Sequence, residues 1–103
     1  MAQFVKAGTT AEMEGGQTSK LVETPAQPVA LFRVEGAYYA IDDTCPHRGG
    51  SLSQGMLSGY EVTCPWHGAK FDVRTGAVLC PPAARGVTCY PVRVSGADIE
   101  VEM

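Results

Sequence analysis

Two short words of this 103-residue sequence carry metal-type ligands. Residues 45–50 read CPHRGG and residues 64–68 read CPWHG. Cys45 and His47 are separated by one residue, Cys64 and His67 by two, and sixteen residues lie between His47 and Cys64. Each word supplies one thiolate and one imidazole beside proline and glycine. His47 and His67 are the two histidines of the chain, and both fall in the pattern.

Three kinds of chemistry compete for this constellation. The four residues could be unrelated core and surface positions, although paired spacing and flanking turn residues argue against that. They could form a structural zinc site or interaction module of Cys2His2 type. Zinc ligands usually stand two to four residues apart, so that one loop folds around one ion, and Cys-x-His is tight for that. They could instead hold a two-iron cluster, in which each iron needs two protein ligands. Two loops, each giving one cysteine and one histidine, can meet so that the cysteines take one iron and the histidines the other.

The stretch CPHRGG…CPWHGAKFD resembles the Rieske family, whose pattern is Cys-x-His, 15–17 residues, then Cys-x-x-His, with a glycine such as Gly68 commonly following. The likeness is strong over residues 43 to about 86 and less specific in the flanking strands. It implies one [2Fe-2S] cluster, with Cys45 and Cys64 on an inner iron and His47 and His67 on an outer, solvent-near iron. Exchanging two thiolates for neutral imidazoles removes two negative charges and eases reduction, giving potentials of roughly −150 to +300 mV. Bound iron also lowers the imidazole pKa, so the potential is expected to fall at high pH.

Departures inside the motif narrow the expectation. Respiratory Rieske proteins tie their two loops with a disulfide, and the corresponding positions here are Gly50 and Trp66. They also carry a serine and a tyrosine whose hydroxyls donate to the cluster, where this chain has Ala69 and Phe71. Without those donors the potential is expected near the low end, about −150 mV. The pattern resembles the small ferredoxins of bacterial multicomponent aromatic-ring oxygenases. The resemblance implies a one-electron carrier between a flavin-containing, NAD(P)H-dependent ferredoxin reductase and a terminal oxygenase, docking transiently at the His47/His67 tip. An alternative is the Rieske small subunit of an assimilatory nitrite reductase. No histidine remains for a mononuclear iron site, and no Gly-x-Gly-x-x-Gly word is present for a dinucleotide. The chain is therefore expected to have no catalytic residues of its own.

Other residues have supporting readings. Pro46 and Pro65 stiffen the ligand loops, while Gly49, Gly50 and Gly68 let backbone N–H groups approach. LCPPAAR (79–85) resembles the family's proline loop that covers one side of the cluster; it also reads as a plain surface connector. Trp66 could shield the cluster or dock a partner, and Arg48 could steer an acidic partner or be simply solvated. Cys80 and Cys89 are expected to be free, partly buried thiols.

The elements that position these words read as strands. QFVKA (3–7) is a candidate first strand, and TTAEME (9–14) a helical turn started by Thr10. QTSKLVE (17–23) and VALFRV (29–34) follow as strands, and VEGAYYAI (34–41) signals a hairpin turning at Glu35-Gly36. YPVRVSGADIEVEM gives a second hairpin around Ser95-Gly96, with Val92, Val94, Ile99 and Val101 on one half-buried face. Between them, residues 43–86 offer only YEVT (60–63) and AKFDV (69–73) as strands and VRTGAV (73–78) as a turn. So long a loop-rich stretch usually has a functional reason. The expected architecture is all-β, a Rieske fold: one domain over residues 1–103, an antiparallel sandwich or barrel base with a loop-rich cluster-binding subdomain at about 43–86.

Composition fits one small globular domain, with 45% hydrophobic and 18% charged residues and a net charge of −3. Residues 44–86 carry four bases against two acids, the rest four against nine. No basic run points to nucleic acid. No apolar stretch is long enough to cross a bilayer, and the first sixteen residues show no secretory h-region. A cytoplasmic protein is expected.

Overall fold

The computed structural model describes residues 3–14, 18–24, 27–44, 50–65, 68–80 and 86–102. Eleven strands occur among them, in three sheets whose strand pairings are all antiparallel. The first sheet contains β1 (Phe4–Thr9), β11 (Asp98–Glu102) and β10 (Val92–Ser95), in that order. The second orders β2 (Ser19–Val22), β3 (Val29–Val34), β4 (Ala37–Asp42) and β9 (Cys89–Tyr90). The third is a meander of β5 (Met56–Ser58), β6 (Glu61–Thr63), β7 (Lys70–Asp72) and β8 (Val78–Cys80).

The second sheet lies between the other two, and β3 shows why its sequence is a nearly unbroken apolar run. Val29 and Leu31 pack with Ile99 and Val101 of the first sheet. Ala30, Phe32 and Val34 point the other way and pack with Val62, Phe71 and Val73 of the third-sheet region. A strand covered on both faces has no polar side to alternate with. The β3–β4 hairpin turns at Glu35 and Gly36, with φ of 51° and 81°. Two successive positive φ values mark the I′ turn whose twist suits a two-residue hairpin.

Several expectations shift in detail. The short helix α1 (Thr10–Glu14) is capped by Thr9 rather than started by Thr10. Thr9 Oγ1 accepts from the Glu12 N–H at 3.3 Å, and Glu12 Oε1 accepts from the Thr9 N–H at 2.9 Å. This reciprocal box needs the acid three residues after the cap, which only Thr9 has. In the last hairpin Ser95 pairs with Asp98, so the turn is Gly96-Ala97. Ile99 and Val101 are buried, but Val94 is 49% exposed because β10 is an edge strand. The region 43–86 holds more strand than expected, since Met56–Ser58 and Val78–Cys80 complete a four-stranded sheet.

Candidate metal centre

The second ligand word sits at the β6–β7 connection. Thr63 pairs with Lys70, closing a six-residue loop, 64–69, at the end of the ladder. Within it the Cys64 N–H donates to the Ala69 carbonyl at 2.7 Å, and the Gly68 N–H donates to the Cys64 carbonyl at 3.2 Å. Gly68 has φ of 77°, which an L side chain rarely adopts, and so reverses the chain. Pro65 and Gly68 are exposed, whereas Cys64 is 2% exposed and Ala69 wholly buried. Cys64 thus belongs to the same apolar cluster as Leu52, Val62 and Phe71, directly beneath a solvent-facing loop.

Of the four sequence-predicted ligands, the structure places Cys64. Cys45, His47 and His67 lie outside the described residues, as do Pro46, Arg48, Gly49 and Trp66. What is described of the first word is the frame that closes it. The Leu52 N–H donates to the Asp43 carbonyl at 2.7 Å, and Thr44 and Ser51 form an isolated antiparallel bridge. Asp43, 5% exposed, accepts from Ser51 Oγ at 2.9 and 2.7 Å and from the Ser53 N–H at 2.8 Å. Sequence reasoning missed Asp43, Ser51 and Ser53. The available signal was an acid two residues before the first ligand with serines just beyond the loop.

A third segment approaches from the C-terminal side. The Val87 N–H donates to the Gly76 carbonyl at 2.8 Å, and the Asp42 N–H to the Thr88 carbonyl at 2.9 Å. Asp42 also accepts from the Thr88 N–H at 3.1 Å and from the Tyr90 hydroxyl at 2.6 Å. Burial, followed by the bond to Asp42, pushes the Tyr90 phenol up to about 12. The word 79–85 begins inside β8, where Leu79 is 52% exposed, and residues 81–85 lie outside the described residues. Cys89 is a free thiol, as expected, but it is exposed rather than partly buried.

A charged pair stands at the other end of the third sheet, while Lys70 flanks the ligand loop itself and faces Glu61 at 4.0 Å. Arg74 donates to Asp72 at 2.9 Å and holds its carboxyl below the usual carboxylate range. The Arg74 guanidinium also stacks 4.2 Å from the Tyr60 ring centroid. Around Cys64 the packed side chains are apolar. Ala69 and Phe71, both fully buried, present methyl and phenyl groups without a hydroxyl.

These observations fit an iron–sulfur group. Cys64 is a buried thiol at the start of a tight turn, and two cysteines with two histidines, as the sequence supplies them, are a donor set that suits a two-iron cluster. The family model described as Rieske [2Fe-2S] domain matches residues 3–91. The ferredoxin component of a naphthalene 1,2-dioxygenase system from Pseudomonas aeruginosa is 38% identical over 82 residues, covering 80% of this chain and 79% of that one. The 3-phenylpropionate/cinnamic acid dioxygenase ferredoxin subunit of Shigella boydii is 39% identical over 100 residues, covering 96% and 92%. Among solved structures, a chain in the complex of reduced oxygenase and oxidized ferredoxin in carbazole 1,9a-dioxygenase aligns with a TM-score of 0.88 and 33% identity. It covers 95% of this chain and 91% of that one.

Proposed function

Because the chain belongs to the Rieske [2Fe-2S] domain family, we propose that it carries single electrons from a flavin-dependent NAD(P)H reductase to the terminal oxygenase of an aromatic-ring oxygenase system. The observation that carries this reading is similarity along nearly the whole chain to ferredoxin components of such systems. The family's group is a [2Fe-2S] cluster rather than one zinc ion, and when bound it accepts and releases one electron. No helix among the described residues is long and apolar enough to cross a membrane.

In this reading Cys45 and Cys64 hold one iron and His47 and His67 the other. The chain acts as one unit over residues 1–103, with about 43–86 forming the part that holds the cluster. Ala69 and Phe71 withhold the hydroxyl donors that would stabilise the reduced state, so the midpoint falls near about −150 mV. Partners dock at the His47/His67 tip. Support for that face comes from the exposed Pro65 and Gly68 and from Met56, which pairs with Thr63 and is 76% exposed. An adaptable thioether beside a redox tip suits a surface that must meet two different proteins in turn.

The test is reconstitution. The purified protein should relay electrons between a separately purified reductase and oxygenase, and His67→Ala should lose both the Rieske EPR signature and the relay. Full relay by that variant would refute the ligand role of His67.

A further inference from the structure

The Asp43 carboxylate is more than a hairpin fastening needs. The loop at 45–50 is already closed by the Leu52 N–H to Asp43 carbonyl bond and by the Thr44–Ser51 bridge. The side chain adds a second closure from beneath, receiving Ser51 Oγ on both carboxylate oxygens and the Ser53 N–H on one. Ser51 and Ser53 hydroxyls lie 3.0 Å apart, so the two serines are themselves linked. Asp43 and Ser53 are 5% and 7% exposed. Burying a carboxylate is costly unless it is hydrogen-bonded, and here the contacts from Ser51 Oγ and the Ser53 N–H offset that cost. The neighbouring Asp42 is also bonded, but it serves the other side, toward Thr88 and Tyr90.

We propose that Asp43 is a positioning residue for the iron–sulfur cluster: its buried carboxylate fixes both ends of the first ligand loop, and its negative charge lowers the reduction potential. Cys45 is two residues away, a separation of roughly 7 Å at most between α-carbons. A fixed anion at about 10 Å in a medium of effective dielectric ~20 disfavours an added electron about tenfold. That direction matches the absence of hydroxyl donors at Ala69 and Phe71, so three residues around the site act on the potential in the same sense. The inference rests on the ligand set proposed above.

The experiment uses the purified, cluster-loaded protein and, first, three variants. The parent's EPR signature tests the ligand set first, so failure of that set is told apart from failure of the Asp43 role. Asp43→Asn keeps size and shape while removing charge. It should hold the cluster and reduce about tenfold more readily, a rise of ~59 mV for one electron. Ser51→Ala and Ser53→Ala leave the carboxylate in place. Ser51→Ala removes both hydroxyl contacts to it, lowers the unfolding midpoint of the apo-protein, and should release iron to a chelator severalfold faster than a first-sheet core variant such as Ile99→Val at matched apo-protein stability. Ser53→Ala keeps its N–H bond and should release iron more slowly than Ser51→Ala. A parental potential in Asp43→Asn overturns the charge role. Iron release in Ser51→Ala no faster than in the matched Ile99→Val overturns the positioning role. Should Asp43→Asn not fold, the two serine variants decide the positioning role, and the matched pair Asp43→Glu and Asp43→Gln decides the charge role: equal potentials in the two overturn it.

Discussion

The second and third sheets are both antiparallel, yet they are held in different ways. In the second, β3 is buried on both faces, and its side chains lock the first and third sheets to it. In the third, one face carries Val62 and Phe71 at 0% exposure while the other shows Met56 at 76%. The ligand end of that sheet is held by hydrogen bonds around the loops, Cys64 to Ala69 and Asp43 to Ser51 and Ser53, and the opposite end by Gly76 to Val87. Packing that is satisfied on both faces sets stability. Hydrogen-bonded loop frames fix the described ends of the two ligand words.

That difference can be broken most severely from the packing side. Phe32→Ala empties a fully buried position in the second sheet and should cost ~3–5 kcal/mol, read by urea unfolding of the apo-protein. An effect below ~1 kcal/mol would mean that the second sheet is not the structural centre.

Gly76→Ala attacks a loop frame instead. Gly76 has φ of 80°, and an added Cβ would sit 2.0 Å from the Val87 carbonyl oxygen. The loss should exceed the ~1–2 kcal/mol of a left-handed alanine. Gly36→Ala, at φ of 81° with nothing within 4 Å, should cost only that. Equal losses in the two variants would erase the distinction between a crowded loop frame and an open hairpin turn.

The smallest effect is silent at neutral pH. Tyr90 is held protonated to about 12, above the usual phenol value of 10.0. Its contribution is fully present below pH ~10, where the unfolded phenol is also neutral. It is lost as pH rises toward 12, because the unfolded state then releases its proton first. Unfolding titrations of the parent should therefore fall more steeply between pH 10 and 12 than those of Tyr90→Phe.

What the sequence made legible follows the same division. Spacing singled out Cys45, His47, Cys64 and His67 as candidate ligands, because chemistry demands particular residue types at fixed separations, and of these the structure describes Cys64. Alternation and the Glu35-Gly36 turn brought out β3, β4 and the C-terminal hairpin. Strands of two or three residues, such as Met56–Ser58 and Cys89–Tyr90, are too short to show a period and exist because neighbours pair with them. Asp42 and Asp43 look alike on paper, and only the fold reveals that the Asp43 carboxylate is buried and bonded to Ser51 and Ser53. Val94 followed the right alternation but lies on an edge strand, which no local pattern discloses.

The ligand assignment is tested most directly by an anaerobic redox titration followed by EPR. The account predicts one reducible centre with the low average g value of mixed cysteine and histidine ligation and a midpoint near about −150 mV. An EPR-silent protein, the signal of a cluster held by four cysteines, or a midpoint above zero would contradict it.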